Sequence, residues 1–198
     1  MCVENTPCCE IPERILTERL LMRMPKRSDA GDVLVAVEES HPELRRWQGW
    51  AREMPSLSAI EAHIARARAA WELRERNLFH VYNHAERFLG TCGLEKIDWT
   101  LRAFEIGYWL RTSCVGKGYM TEAVAALEKQ VFERCLGRSI VIKCDSLNER
   151  SAAIPRRLGF QLDGVLRCER LNALGEPQDT MVWSKTRADY RSGSAVSF

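Results

Sequence analysis

The stretch GYWLRTSCVGKGYMTEAVAAL, residues 107–127, decides how this chain is read. It begins as an aromatic, apolar segment with strand character and passes into a short loop holding Gly116 and Gly118. Beyond the loop, Met120, Ala123, Val124, Leu127, Val131 and Cys135 recur at helical spacing and form one apolar stripe. A helix entered in this way presents unpaired backbone N–H groups at the positive end of its dipole. Such an end binds phosphate. The two glycines let the main chain approach an anion without a Cβ in the way, and Lys117 adds a positive charge. A Walker loop does not fit, because Gly118 stands where Ser or Thr must follow Gly-Lys and Arg111 stands at the earlier glycine position. A dinucleotide fingerprint needs three spaced glycines. The glycine pair by itself also fits a plain tight turn between strand and helix.

Outward from this segment, residues 1–12 read as an irregular leader, 13–190 as one domain and 191–198 as a loose tail. A strand over 19–24 stops at Pro25. Ser28 and Asp29 can cap a helix carrying Val33, Leu34 and Val37, which His41-Pro42 is expected to end. Ser56 or Ser58 starts a long helix with Ile60, Ile64, Ala67 and Trp71 on one side. Segments 78–82 and 88–94 form a hairpin, and 104–110 is a further strand. A helix over 116–136 is stopped by Gly137. A β-branched strand at 139–144, a short helix at 151–158 and strands at 160–169 and 179–186 complete the order. That order predicts an α/β (α+β) single domain, a mixed central sheet of about seven strands with helices on both faces.

The 198 residues are 45% hydrophobic, enough for one sizeable core. A net charge of +2 gives no footprint for nucleic acid. Arg66, Arg68, Arg74 and Arg76 alternate with Glu61, Glu72 and Glu75, the pattern of a solvated helix face. No apolar run approaches the roughly 18–20 residues of a membrane span, and the first residues lack the features of a signal peptide. A cytoplasmic protein with no membrane partner is expected. The eight cysteines contain no C-x-x-C pair, so no metal site is expected and most read as buried fillers or free thiols. Cys8 and Cys9 are adjacent in the leader.

Residues 107–127 resemble the acetyl-CoA-binding motif of the GNAT superfamily. There the pattern is Gln/Arg-x-x-Gly-x-Gly/Ala, and loop amides hold the pyrophosphate of CoA. The corresponding positions here are Val115, Gly116, Lys117, Gly118, Tyr119 and Met120, with the central glycine matched by Gly118. Val115 and Met120 depart from the pattern, which leaves the site more dependent on backbone amides. Asn148-Glu149-Arg150-Ser151 followed by Leu158-Gly159-Phe160 is similar to the Asn-x-x-Ser and Leu-Gly-Phe of the ribosomal-protein N-acetyltransferase branch, the RimJ/RimL type. In that branch the asparagine contacts the cofactor and the serine lies near its sulfur. Read without the resemblance, Asn148 and Ser151 fit a helix cap. Leu44, Trp47 and Trp50 resemble the Trp-rich segment that lines the branch's acceptor pocket, while tryptophans at such positions also fit a core.

The resemblance implies transfer of acetyl from acetyl-CoA to a primary amine, a protein N-terminal α-amine first. A small amine such as an antibiotic, a polyamine or an amino-acid conjugate is the alternative, and a non-catalytic acyl-CoA-binding module is another. It implies no metal and leaves a homodimer open. Acetyl transfer to an amine needs a held cofactor, a neutral amine, a stabilised oxyanion and a donor toward the departing thiolate. The resemblance places the Leu110 backbone N–H at the thioester carbonyl and Ser151 at the thiolate, with Tyr108 and Tyr119 as substitutes. Glu169, in the segment CERLN, or Glu105, at the start of the cofactor strand, accepts the amine proton. His80 and His84 read as surface or structural residues, with no nucleophile triad in sight.

Overall fold

The computed structural model describes residues 10–172 and 175–194. Its eight strands form one sheet in the order β1-β2-β3-β4-β5-β6-β8-β7. They are β1 (Arg14–Leu16), β2 (Leu20–Arg23), β3 (Asn77–Asn83), β4 (Phe88–Asp98), β5 (Ala103–Leu110), β6 (Ser139–Asp145), β7 (Gln161–Leu171) and β8 (Pro177–Thr186). The helices are α1 (Ala30–Trp47), α2 (Leu57–Glu72), α3 (Tyr119–Lys129), α4 (Glu149–Arg157) and α5 (Arg187–Ser194). Every strand pair is antiparallel except β5 with β6, which the helix α3 connects as a parallel crossover. The chain therefore has the mixed sheet flanked by helices that the element order predicts, with one short strand more than expected.

Side chains alternate across the sheet, so each strand feeds two cores. Phe79, Val81, Leu89 and Ile106 point to the side packed by Val124, Leu127 and Val131 of α3 and its extension. Tyr82 and Phe88 point to the other, under Ala36, Val37 and Leu44 of α1 and Ile60 and Ile64 of α2. The second core is smaller, and part of the space between sheet and helices is left open as a cavity.

Pro42 does not end the first helix. α1 runs through it to Trp47, and the Gln48 N–H still closes on the Leu44 carbonyl at 2.8 Å. A mid-helix proline costs about 3 kcal/mol. Burial of Leu44 returns about 1.5–3 kcal/mol, and further packing of the last turn adds to it. The helix expected at 116–136 starts only at Tyr119 and widens into a π-helical turn over Gln130–Arg134. Leu136, not Gly137, takes the left-handed conformation that ends it, with φ 52°. Gly137 is glycine for lack of room, since a Cβ there would lie 2.5 Å from Val131 Cγ1. Glu128, outside the apolar stripe, is nevertheless buried and ion-paired with Lys185 at 2.6 Å.

At the ends of the chain, Ile11 of the expected leader is buried in the main core. Residues 191–194 of the expected tail continue α5. Cys2, Cys8 and Cys9 lie outside the described residues. Cys92, Cys114 and Cys144 are buried free thiols and Cys168 is an exposed one. Among the described residues no helix is long and apolar enough to cross a membrane.

Candidate active site

β5 and β6 pair only from Ala103/Ser139 to Ile106/Ile142, although both strands continue. Beyond Ile106 they part, and the backbone of residues 107–110 faces a gap. Arg111 donates to the Leu89 carbonyl on the β4 side at 2.7 Å. Bonding direction alternates along an antiparallel strand, so the N–H groups of Tyr108 and Leu110 point the other way, into the gap. They are free to bond an extended ligand arm or to polarise a carbonyl placed beside Leu110.

The gap opens into a long cleft below the start of α3. Leu110, Val115, Gly116, Gly118, Tyr119 and Met120 all line it. Gly116 and Gly118 both sit at positive φ, 77° and 78°, where a residue with a Cβ is strained. No side chain caps α3, so its first N–H groups remain available to an anion. A Cβ on Gly118 would come 3.4 Å from Arg19 Nη2, at the place an anion would occupy. Arg19 is itself fixed by Glu122 at 2.6 Å and by the Lys117 carbonyl at 2.9 Å. Arg150 and Arg157 add positive charge along the same cleft. These residues fit a phosphate-bearing cofactor: uncapped amides, two left-handed glycines and a basic rim. Lys117 contributes its carbonyl and its side chain does not line the cleft.

The second cavity, about 780 Å³, lies between the sheet and the α1–α2 pair. Glu105, Lys143 and Glu169 stand together on one side of it. Lys143 Nζ is 3.9 Å from a carboxylate oxygen of each glutamate, so the two acids flank a single cation. Glu169 also accepts from the Thr180 hydroxyl at 3.0 Å. Trp50 is half-exposed at the cavity, its ring 6.2 Å from that of Trp109, so it is not a core residue. Leu44 is buried and borders the cofactor-side cleft instead of this cavity.

The cleft and the cavity share six lining residues: Trp47, Gln48, Tyr108, Trp109, Asn148 and Ser151. Their junction is where an acyl group held on one side would meet an acceptor held on the other. Asn148 Oδ1 accepts from the Ser151 N–H at 3.1 Å, so the pair does form the helix cap that α4 needs. The Ser151 hydroxyl donates to the Tyr108 hydroxyl at 3.3 Å, and Tyr108 donates to the Ser151 carbonyl at 3.1 Å. Burial pushes the Tyr108 phenol upward, so it stays protonated as a hydrogen-bonding partner. Tyr119 lies along the cleft, under the Arg19 guanidinium, away from this junction.

Several participants escape sequence reading. Lys143 and Thr180 belong to no motif, Gln48 and Trp109 lie inside motif stretches without being singled out there, and only the fold gathers the four. His84 sits at the surface, bonded to the Glu18 carbonyl at 2.8 Å. His80, by contrast, is buried and lines the second cavity, with Nδ1 on Asp29 Oδ2 at 2.8 Å. Among the described residues no cluster of His, Cys, Asp or Glu could hold a metal.

A sheet that splays beside an uncapped glycine-led helix defines an acyl-CoA-type transferase fold, and the chain belongs to the family described as the acetyltransferase (GNAT) domain, matched over residues 19–161. It is similar to a Bacillus licheniformis protein named "uncharacterized N-acetyltransferase p20", 29% identical over 179 residues, 90% of this chain and 98% of that protein. Its fold matches RimL, a ribosomal L7/L12 α-N-protein acetyltransferase solved with coenzyme A, at TM-score 0.83 and 23% identity, over 88% of this chain and 98% of that one. It also matches the microcin C7 self-immunity acetyltransferase MccE, solved with acetyl-CoA and AMP, at TM-score 0.80 and 22% identity, over 86% and 93%. At these identities the likeness to the two structures is one of fold.

Proposed function

We propose that this protein transfers an acetyl group from acetyl-CoA to a primary amine, foremost a protein N-terminal α-amine. The observation that carries the reading is the meeting of the two cavities at Tyr108, Trp109, Asn148 and Ser151. The family membership and the names of its relatives support it. In this reading the first turn of α3, with Gly116, Gly118 and Tyr119, binds the cofactor's pyrophosphate, and Val115 and Met120 pack beside it. The backbone of residues 108–110 holds the pantetheine arm in the strand gap. Acetyl-CoA supplies the activated acyl group.

The chain's own residues do the rest. Glu169 and Glu105 draw a cationic amine toward the junction, and Glu169 takes its proton directly or through a water. The Leu110 N–H stabilises the charge that grows on the carbonyl oxygen. Ser151, positioned by Asn148, turns its one hydroxyl proton from Tyr108 toward the sulfur and donates a hydrogen bond there. Trp47 and Trp50 shape the acceptor's approach. Direct attack by the amine needs no nucleophile from the enzyme. The roof of α1 and α2 over the second cavity also suits a whole small amine. Release of CoA thiol with a panel of N-terminal peptides and small amines tests both. Release with peptides selects the first, and release with small amines alone selects the second. Tight acetyl-CoA binding without release for any amine overturns both in favour of a binding module.

A further inference from the structure

The acceptor cavity runs much farther than the junction. Arg23, His80, Thr91 and Trp109 are consecutive cross-strand partners on β2, β3, β4 and β5, one row across the sheet. His80, Thr91 and Trp109 line the cavity. Neighbouring strands are about 4.8 Å apart, so His80 on β3 lies two spacings, roughly 10 Å, from the β5 edge where Leu110 faces the gap.

The state of the His80 ring follows from its partners. Asp29 accepts both arms of the Arg23 guanidinium, at 2.7 and 2.9 Å, and the Lys26 N–H at 2.8 Å. Against the upward pull of burial, His80, Arg23 and Lys26 hold its carboxyl far below the usual carboxylate range. An ionised carboxylate only accepts, so the proton between Asp29 and His80 belongs to His80 Nδ1. Burial pushes the imidazole pKa down against the pull of Asp29. The ring is therefore neutral with Nε2 as a bare lone pair. The Phe88 ring meets it edge-on at 5.1 Å. A ring kept only to hold Asp29 would have no reason to border a cavity.

We propose that the far end of this cavity is a specificity site, in which His80 Nε2 accepts a hydrogen bond from a donor group carried by the acceptor roughly 10 Å from the nitrogen that is acetylated. The proposal rests on the acetyl-transfer reading and deepens it. The acceptor is then an amine with a hydroxyl or N–H at its far end, and Thr91 is the polar step between. Asp29 and Arg23 are positioning residues, since they act through the ring. An unsatisfied buried acceptor penalises an analogue that lacks the donor, and one such bond is worth about tenfold in kcat/KM.

The test compares ω-hydroxy primary amines of increasing chain length with their methyl ethers, and in a second arm tripeptides whose distal hydroxyl is free or methylated. At one length the hydroxyl compound should win by about tenfold in kcat/KM. The arm in which it wins says whether a small amine or a peptide supplies the donor. His80→Phe should abolish the preference. Asp29→Asn, which can donate to Nδ1 and so move the ring proton to Nε2, should erase it, because hydroxyl and ether oxygens both accept from an Nε2–H. In the wild-type protein the His80 Nε2 resonance should shift with the hydroxy amine and not with the ether, a readout that does not depend on the variants folding. Equal kcat/KM within every pair of both arms, a preference that survives in folded His80→Phe, or an unmoved Nε2 resonance overturns the proposal. Thiol release without discrimination defeats this inference alone, whereas no release with any amine defeats the acetyl-transfer reading beneath it.

Discussion

Residues 107–121 supply the gap edge, both left-handed glycines and the first turn of α3, so one wall of the cofactor cleft is a single stretch of chain. The second cavity has no such stretch. It takes Val37 from α1, His63 from α2, His80 from β3, Glu105 from β5, Lys143 from β6 and Glu169 from β7. The cleft works through backbone groups, whose positions follow from helix and strand geometry. The cavity works through side chains whose mutual distances depend on every element between them. A cofactor shared across a family needs only the first kind of site.

The largest expected effect sets the two regions apart chemically. Glu169→Gln keeps the size of the side chain and removes its basic form. A positioned general base contributes about 10²–10⁴-fold, so kcat/KM near neutral pH should fall by that order while acetyl-CoA affinity holds. The loss should shrink at high pH, where solvent deprotonates the amine. A loss independent of pH would make Glu169 an electrostatic anchor, and no loss would transfer the role to Glu105.

Gly118→Asp should act on the other side only. It puts a carboxylate beside uncapped amides and a Cβ at φ 78°. Acetyl-CoA affinity, measured by calorimetry on folded protein, should weaken about 100-fold, equivalent to about 2.7 kcal/mol. Unchanged affinity would remove the pyrophosphate from this loop. Trp50→Ala is smaller: acceptor KM should rise about two- to tenfold, the range for a lost aromatic contact, with CoA binding constant. A matching loss of CoA affinity would mean that the two regions are not separable at Trp50.

Glu39 ties the regions together. From α1 it accepts Arg111 Nε at 2.5 Å and the Ser113 N–H at 2.9 Å, in the turn leading to the glycine loop. Against burial, Ser113 and Arg111 hold its carboxyl down at about 2. A carboxyl lowered on folding stabilises fully above its ordinary pKa of 4.5, and the stabilisation fades as pH falls toward 2. Glu39→Gln should therefore cost about 1 kcal/mol at pH 7, allowing for partial exposure. The Tm deficit relative to wild type should narrow between pH 4.5 and pH 3. A deficit of equal size at pH 7 and pH 3 would show that charge is not what makes the link.

The legible parts of this protein are those whose physics is local. Apolar spacing in α2 and α3, a serine cap at 56 or 58 and the strand–glycine–helix passage depend on residues a few positions apart; the cap falls on Ser56, and α3 follows the glycine loop but starts three residues later than expected. Asn148 and Ser151 were legible as a cap for the same reason. Where local and tertiary terms conflict, packing decides. Pro42 stays inside α1 where Leu44 reaches the core, and the strained φ falls on Leu136 while Gly137 leaves room for Val131.

By itself the chain determined a mixed sheet crossed by one glycine-led helix, because hydrophobic period and glycine placement act over single turns and strands. Only the tertiary structure decided what lines the second cavity. Asp29 and His80 are 51 positions apart, and Glu39 and Arg111 are 72 apart. Glu105 and Glu169 come to share Lys143 from three different strands. Nothing in the residues between records those distances. They follow from the strand order, from the parting of β5 and β6, and from two helices laid across one face of the sheet.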